Sequence, residues 1–553
     1  IETTLPGREI LLHPVLNKGT AFTKAERTRL GLELLLPYGV ATLATQTQRA
    51  YGQFAHEQGA LKKNAFMNSM LDQNQVLFYR LLTEHLEEML PIVYTPTEAE
   101  AIESYSEMFR RPRGLFLSYP DRECIGALLE EAGPAHVDII VVTDGAMILG
   151  IGDQGVGGIW ISTSKLALFT ALGGVHPARV LPVVLDVGTD NQKLLDDPLY
   201  AGWREKRVRG KEYEAFVDTF VKAARKVLPG AMIHWEDFGR DEARTLLQKY
   251  RDQFCTFNDD MQGTGVVTLA CLLSAMRHLK TELKDMRIVI NGAGTAGTGI
   301  AEGSRSHPFT DAIAMYDPTH DLASARAQIY LVDKDGLLTT ASPSPTPYQQ
   351  PYLKPPLASN TLLDVIRTVK PHILIGVSTH PGAFTEQIVK EMHKHTPRPI
   401  IFPLSNPTRL AEARAEDLVE WTRGDVLTAT GSPTDPVTYA GGTVTVAEAN
   451  NAFVYPGIGM GCIVAGATRC TDAMLRAAAR AVADAAPRDV REGLMPGIGE
   501  SRGVSFRVAC RVVECAVREG VATKVKEGED VEECVRKAVW KPEYCPVVRV
   551  ERL

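Results

Sequence analysis

The sequence predicts an α/β protein with parallel sheets and a helical region at its N-terminus, and three observations lead to that class. Short β-branched apolar runs, Val137 to Thr143 and Val180 to Val187, are separated by helical patterns such as Ser162 to Leu172. That texture belongs to buried strands of a parallel sheet joined by helices. Farther on, Met286 to Ile290 runs into a glycine-rich turn and then a helix opening, and Ile329 to Val332, Ile373 to Gly376 and Ile400 to Leu404 repeat the strand signal. That second rhythm is the signature of a doubly wound domain. Residues 20–110, by contrast, carry helical periodicity.

Taken in order, Thr23-Lys24-Ala25-Glu26 is a helix-start capping pattern, and Leu30, Leu34 and Leu35 follow at helical spacing. A second helical pattern runs from Asn64 to about Leu90 and is expected to stop before Pro91. Residues 264–280 read as a helix, the Pro-, Ser- and Thr-rich stretch Ala341 to Pro356 as an irregular surface loop, and the Ala- and Arg-rich chain beyond about 465 as helices again. The expected organisation is a helical region at 1–115, an α/β substrate and metal domain at 116–262 completed by 450–520, a nucleotide domain at 263–449, and a C-terminal extension at 521–553.

The chain has 553 residues, a hydrophobic fraction of 44%, a charged fraction of 23% and a net charge of −7. These values suit a soluble globular protein and argue against a nucleic-acid binder, which carries a basic face. Nine cysteines are scattered without a C-x-x-C pair, as expected of a reduced intracellular protein. Apolar runs such as Ile139 to Val142 are too short to span a bilayer, and no signal-peptide pattern opens the sequence. Cytoplasm and mitochondrial matrix both fit, and no membrane partner is expected.

Two blocks carry the chemistry: His234-Trp235-Glu236-Asp237-Phe238-Gly239 and Phe257-Asn258-Asp259-Asp260-Met261-Gln262-Gly263-Thr264. Each sets adjacent carboxylates among aromatic and small residues. Such carboxylates are costly unless neutralised, and a hard divalent cation does so with oxygen ligands alone. The alternative is two buried or helix-capping acidic pairs.

Three glycine motifs resemble phosphate-binding loops. The test is a strand before and a helix after, and for Gly292-x-Gly294-x-x-Gly297 Arg287 to Asn291 supplies the strand and Thr298 to Gly303 can open the helix. Gly292, Ala293, Gly294, Thr295, Ala296 and Gly297 therefore read as a dinucleotide turn, with phosphates facing the helix N-terminus in a Rossmann-like domain. Gly150-x-Gly152-x-x-Gly155 contains Asp153, which opposes a phosphate, so it reads as a substrate-site turn. Gly457-x-Gly459-x-Gly461 reads as close backbone packing. The expected ribose-binding acid is either Asp317 or Asp333, with Asp333 preferred because the strand before it is better; Asp333 favours NAD, whereas Lys334 beside it tolerates the 2′-phosphate of NADP.

Together these segments resemble the malic enzymes. The resemblance rests on Asn17-Lys18-Gly19-Thr20-Ala21-Phe22, Leu77-Phe78-Tyr79-Arg80, Pro91-Ile92-Val93-Tyr94-Thr95-Pro96-Thr97, Arg111-Pro112-Arg113-Gly114-Leu115-Phe116 and Ile148-Leu149-Gly150-Ile151-Gly152-Asp153. It continues in order through the acidic blocks, Asn291-Gly292-Ala293-Gly294, Leu404-Ser405-Asn406-Pro407-Thr408 and Asn450-Asn451. It implies oxidative decarboxylation of L-malate to pyruvate and CO2 with NAD or NADP and Mg2+ or Mn2+, in a homo-oligomer, a dimer or tetramer. It also implies roles: Lys165 as the base, its ammonium lowered by burial and a nearby cation; Tyr94 as proton donor; Glu236, Asp237 and Asp260 as metal ligands; Asp259 as their orienter; and Asn406, Asn450 and Asn451 as substrate amides. Gln349 matches the residue of NAD-preferring members.

Two positions depart from the family. Met147 stands where members commonly carry an arginine that clamps a malate carboxylate, a contact Met cannot make. Gln73 stands where some animal mitochondrial members have an arginine used in fumarate activation, so activation by that route is not expected. The competing readings are a malolactic-type lyase that releases lactate and a weakened member kept for binding or regulation.

Overall fold

The computed structural model describes residues 1–132, 136–294, 297–298, 300, 322–406 and 408–550. Thr295, Ala296 and Asp317 lie outside the described residues. Two parallel sheets organise the described part. In the first, Leu115–Ser118, Val180–Asp186, Ile139–Thr143, Met232–Trp235 and Thr256–Asn258 lie side by side in that order, all parallel. In the second, Ala447–Glu448, Leu427–Thr430, Ile400–Pro403, Ile373–Gly376, Ile288–Asn291 and Ile329–Asp333 run parallel, and Gly336–Leu337 pairs antiparallel at the edge. Ile288–Asn291 is flanked by Ile329–Asp333 on one side and Ile373–Gly376 on the other. The winding reverses there, which opens a crevice beyond the strand ends.

Side chains alternate across each sheet, and the alternation joins the two sheets through one core. Ile139 and Val141 of the first sheet and Ile288, Ile290, Ile329 and Leu331 of the second all enter the same apolar cluster. Their neighbours Ile140 and Val142 face a separate core with Phe216 and Phe220, and Val289 and Val332 face another with Ile366 and Val389. The shared core holds the carboxyl ends of both sheets at one opening.

The helical region follows the sequence in part. Thr23 accepts from the Glu26 amide and Glu26 reaches back, so the capping box is formed. The helix it opens, Lys24–Leu30, closes at Gly31 and does not continue to Leu34 and Leu35, which are exposed. The expected single helix from Asn64 to Leu90 is three: Ala60–Gln73, Gln75–Glu84 and Leu86–Val93. Asn74 interrupts the first junction by capping the Leu77 amide. Pro91 sits inside the last helix and does not end it. No described helix is long and apolar enough to cross a membrane.

The Gly457 run lies within the helix Tyr455–Ala465 and is packed against the helix Ser501–Arg518. A Cβ on Gly457 would come within 2.6 Å of Val508 Cβ, and one on Gly461 within 2.6 Å of Val512 Cβ. This is the close packing that the sequence suggests. Gly457→Ala is expected to lower the melting temperature, at about 1–3 kcal/mol for overpacking, and to leave NAD affinity unchanged. Calorimetric melting beside a fluorescence titration with NADH separates that outcome from a phosphate-loop role.

Glu98 offers a second test. It is buried on the helix Thr97–Glu103 and accepts from Asn64 Nδ2 at 3.2 Å. Burial pushes its carboxyl up to about 8, although Asn64 and Arg113 pull the other way. An unfolded Glu titrates near about 4.3, so between these values the folded chain holds a proton that the unfolded chain has lost. Stability at this site therefore falls as pH rises from about 4 to about 8. Glu98→Gln is expected to raise the melting temperature by about 2 °C at pH 8 and to change nothing near pH 4. Melting curves across that range check it, and a benefit independent of pH would contradict it.

Candidate active site

The carboxyl ends of both sheets open on one cavity of about 1290 Å³. Tyr94, Lys165, Glu236, Asp237, Asp259 and Asp260 line one side, and Asn291, Gly292, Ala293 and Gly294 the other. Asp333, Lys334, Asn406, Asn450 and Asn451 complete the predicted residues on its wall.

The acidic side is built at strand ends. His234 and Trp235 close the strand Met232–Trp235, so Glu236 and Asp237 emerge at its carboxyl end. Asp237 turns into the left-handed region at φ 54°, where Asp is more tolerant than most residues, and its Oδ2 accepts from the Leu149 amide at 3.1 Å. Asp259 and Asp260 open a wide π-type turn, Asp259–Gly263, directly after the strand Thr256–Asn258. Asp260 Oδ2 accepts from the Asp237 amide at 2.9 Å, which ties the two acidic segments together.

Lys165 lies on the helix Ile159–Ala171, where it is 2% exposed. Its Nζ is 2.5 Å from Asp259 Oδ2 and 3.0 Å from Glu236 Oε1, and it lies over the rings of Tyr455 at 4.7 Å and Tyr94 at 5.4 Å. Burial works against its charge, but Asp259, Glu236, Tyr94 and Tyr455 together hold its pKa well above the ordinary value. The lowering expected from burial and a cation is therefore not present in the chain by itself. Burial carries the Tyr94 phenol upward, with Lys165 opposing.

Glu236, Asp237 and Asp260 do not share one state. Burial disfavours the charge of Glu236, but Lys165 and His234 hold it below the usual range. Burial, Asp260 and Glu236 push Asp237 well up, and burial, Glu236 and Asp259 push Asp260 up to about 8. Oxygens of Glu236, Asp237 and Asp260 lie within 4.8 Å of one another. A crowded, desolvated set of oxygen donors that resist joint ionisation fits a hard divalent cation, which removes the repulsion. Asp259 Oδ1 is also buried without a hydrogen-bond partner among the described residues, while Oδ2 accepts from Asn451 at 3.0 Å.

On the opposite wall, a Cβ on Gly292 would meet the Val377 carbonyl at 2.5 Å, and one on Gly297 would run into the Gly292 carbonyl. The turn is therefore closed to any side chain at both positions. Asp333 ends the strand beside Ile288–Asn291, as expected for the acid preferred in the sequence, and Lys334 is exposed next to it.

Some residues stand differently from the expectation. Gln349 does not line the cavity; it lies behind the turn, where its Nε2 donates to the Ala293 carbonyl at 3.1 Å. Asn450 is committed to Glu448 at 2.7 Å and Asn451 to Asp259, whereas Asn406 accepts from Ser432 at 2.6 Å and its amide donors have no partner among the described residues. Asp153 faces Arg207 in two hydrogen bonds of 2.7 and 2.8 Å, so the Gly150 loop is pinned by an ion pair and only Gly150 reaches the cavity. Met147 lines the cavity at 39% exposure.

Two residues that hold the site were not found from the sequence. His234 bonds Glu236, and its signal is the two-residue spacing that sets Glu236, just past the strand end, on the same side as His234. Glu412, fully buried, accepts from Ser378 N at 2.7 Å and from Ser405 Oγ at 2.6 Å, which fixes the loop carrying Asn406. Its partners lie 34 and 7 residues away, so no local pattern marks it.

Comparison with known proteins agrees with this geometry. Residues 71–251 match the model of the malic enzyme N-terminal domain, and residues 261–517 that of the malic enzyme NAD binding domain. The chain is 45% identical over 548 residues to the NAD-dependent malic enzyme of Aeromonas hydrophila, covering 97% of this chain and 96% of that one. It is 46% identical over 561 residues to NAD-dependent malic enzyme 3 of Bacillus subtilis, covering 99% and 98%. In fold it is similar to the malic enzyme of Entamoeba histolytica, with a TM-score of 0.57, 21% identity and coverage of 92% and 90%. The malic enzyme of Pyrococcus horikoshii gives 0.55, 24% identity and coverage of 82% and 89%. Near-full-length identity of this order, on a chain whose cavity joins an acidic cluster to a glycine-rich turn, places it plainly: the chain belongs to the malic enzyme family.

Proposed function

We propose that this chain oxidatively decarboxylates L-malate to pyruvate and CO2 with NAD as oxidant and Mn2+ or Mg2+ as the metal. The observation that carries the reading is the convergence of Lys165, Tyr94 and three carboxylates on the cavity that the Gly292 turn also lines. The names of the relatives support NAD, and NADP stays within reach through Lys334. Bound NAD supplies the oxidant for the C2 carbinol. A cation held by Glu236, Asp237 and Asp260 supplies charge that favours ionised oxygens on the substrate.

The chain's own residues do the rest. With a cation bound at the carboxylates, Lys165 would shed its proton and, as the neutral amine, take the C2 hydroxyl proton while the C2 hydride passes to NAD; Asp259 and Glu236 fix its Nζ. Once CO2 has left, Tyr94 delivers a proton to C3 from the wall beside Lys165. Asn406 offers its amide donors to the substrate; Asn450 and Asn451 line the same space and act first by holding Glu448 and Asp259. Asp333 bonds the ribose, and Gln349 acts through the Ala293 carbonyl. With Met147 in place of a cation, Asn406 and the metal carry more of the carboxylate binding. A homo-oligomer, a dimer or tetramer, belongs to the reading.

Purified protein with L-malate and Mn2+ is expected to generate absorbance at 340 nm with NAD, more slowly with NADP, and to accumulate pyruvate. Lactate without net NADH would instead select the malolactic reading. Lys165→Ala is expected to lower kcat by about 10²–10⁴-fold while NADH still binds; near-normal turnover removes the base role.

A further inference from the structure

Resting on the metal reading above, we infer that His234 is a positioning residue that makes Glu236 a one-oxygen ligand. His234 Nε2 is 2.6 Å from Glu236 Oε2, and both side chains are buried. The contact follows from the strand: residues two apart share a face, so Glu236 at the strand end reaches back to the imidazole. Three rings fix that imidazole, Phe257 at 5.5 Å, Phe169 at 5.6 Å and Tyr455 at 5.8 Å between centroids. His234 Nδ1 has no hydrogen-bond partner among the described residues. The tautomer that wastes no donor therefore carries its proton on Nε2, and that N–H donates a hydrogen bond to Glu236 Oε2.

The consequence concerns the other oxygen. With Oε2 held by His234, Oε1 is the atom Glu236 can offer, and it is the one facing Lys165 at 3.0 Å. His234 itself could close a second group with Glu236 and Asp259, but the Lys165 ammonium already lies between those two carboxylates. His234 is also absent from the cavity wall that Glu236, Asp237 and Asp260 line. The imidazole is thus placed to orient a ligand and not to be one. A carboxylate locked to one oxygen suits Mg2+ and Mn2+, whose octahedral shells are strict, more than Ca2+, which accepts two oxygens from one carboxylate. His234 should then contribute to the choice of ion as well as to affinity.

The test is calorimetric titration of full-length protein with Mg2+, Mn2+ and Ca2+, without malate or NAD, beside melting curves. His234→Leu is expected to weaken Mg2+ and Mn2+ by about 10–100-fold and Ca2+ by less than about 3-fold. His234→Gln restores an N–H donor and is expected to stay within about 5-fold of the parent for all three. Equal loss for every ion, equal loss in both variants, or unchanged Mg2+ affinity in His234→Leu would each overturn the inference. Glu236→Gln is the control that separates the two claims. If it binds Mn2+ like the parent, the metal reading has failed; if it loses Mn2+ while His234→Leu does not, only the positioning role has failed. Should His234→Leu fold poorly, His234→Gln against His234→Met gives the same comparison.

Discussion

Everything at this site depends on one imbalance: four carboxylates, Glu236, Asp237, Asp259 and Asp260, are gathered round one ammonium, Lys165. Two of the four are drawn to the ammonium, and Lys165 reaches Asp259 at 2.5 Å and Glu236 at 3.0 Å. The others, Asp237 and Asp260, are left with each other, and both are pushed up in pKa by burial and by neighbouring carboxylates. A protein core does not tolerate such an arrangement for stability alone, because hydrophobic side chains of the same size would cost less. Its retention makes sense when a cation completes the charge balance.

The fold makes that crowding possible. The strands Met232–Trp235 and Thr256–Asn258 are neighbours in a parallel sheet, so their carboxyl ends deliver Glu236, Asp237, Asp259 and Asp260 to one place. A parallel sheet brings such ends together as a matter of course, and the helix Ile159–Ala171 lays Lys165 beside them. The second sheet then turns its own carboxyl ends, with Gly292 and Asn406, toward the same opening through the shared core. The acidic cluster and the Gly292 turn are thereby held on separate sheets that cannot shift independently without opening that core.

Much of this was legible in the sequence, for identifiable reasons. The Gly292 turn could be read because tight backbone approach leaves few options beyond glycine. The acidic blocks stood out because carboxylates beside Trp235, Phe238 and Phe257 have no solvated explanation. The strand Met232–Trp235 was not read as one, since His234 and Trp235 interrupt the β-branched pattern with side chains chosen for the site and the core behind it. Helix lengths in the N-terminal region were misjudged where Gly31 and Asn74 act as stops within a continuing apolar period. The amides were the least legible feature: Asn450 and Asn451 look alike in sequence, yet their partners, Glu448 and Asp259, are fixed by tertiary packing. Glu412 left no mark because its donors come from loops that meet only in the fold.

The most direct measurement of the central claim is the stoichiometry of Mn2+ binding to the nucleotide-free protein, followed by electron paramagnetic resonance, in the parent chain and in Asp260→Asn. Asn at 260 still accepts from the Asp237 amide, so the local structure survives while one charge is removed. The account predicts one saturable site per chain in the parent and its loss in the variant. No saturable site in the parent, or the same site at the same affinity in the variant, would contradict the view that a cation neutralises this cluster.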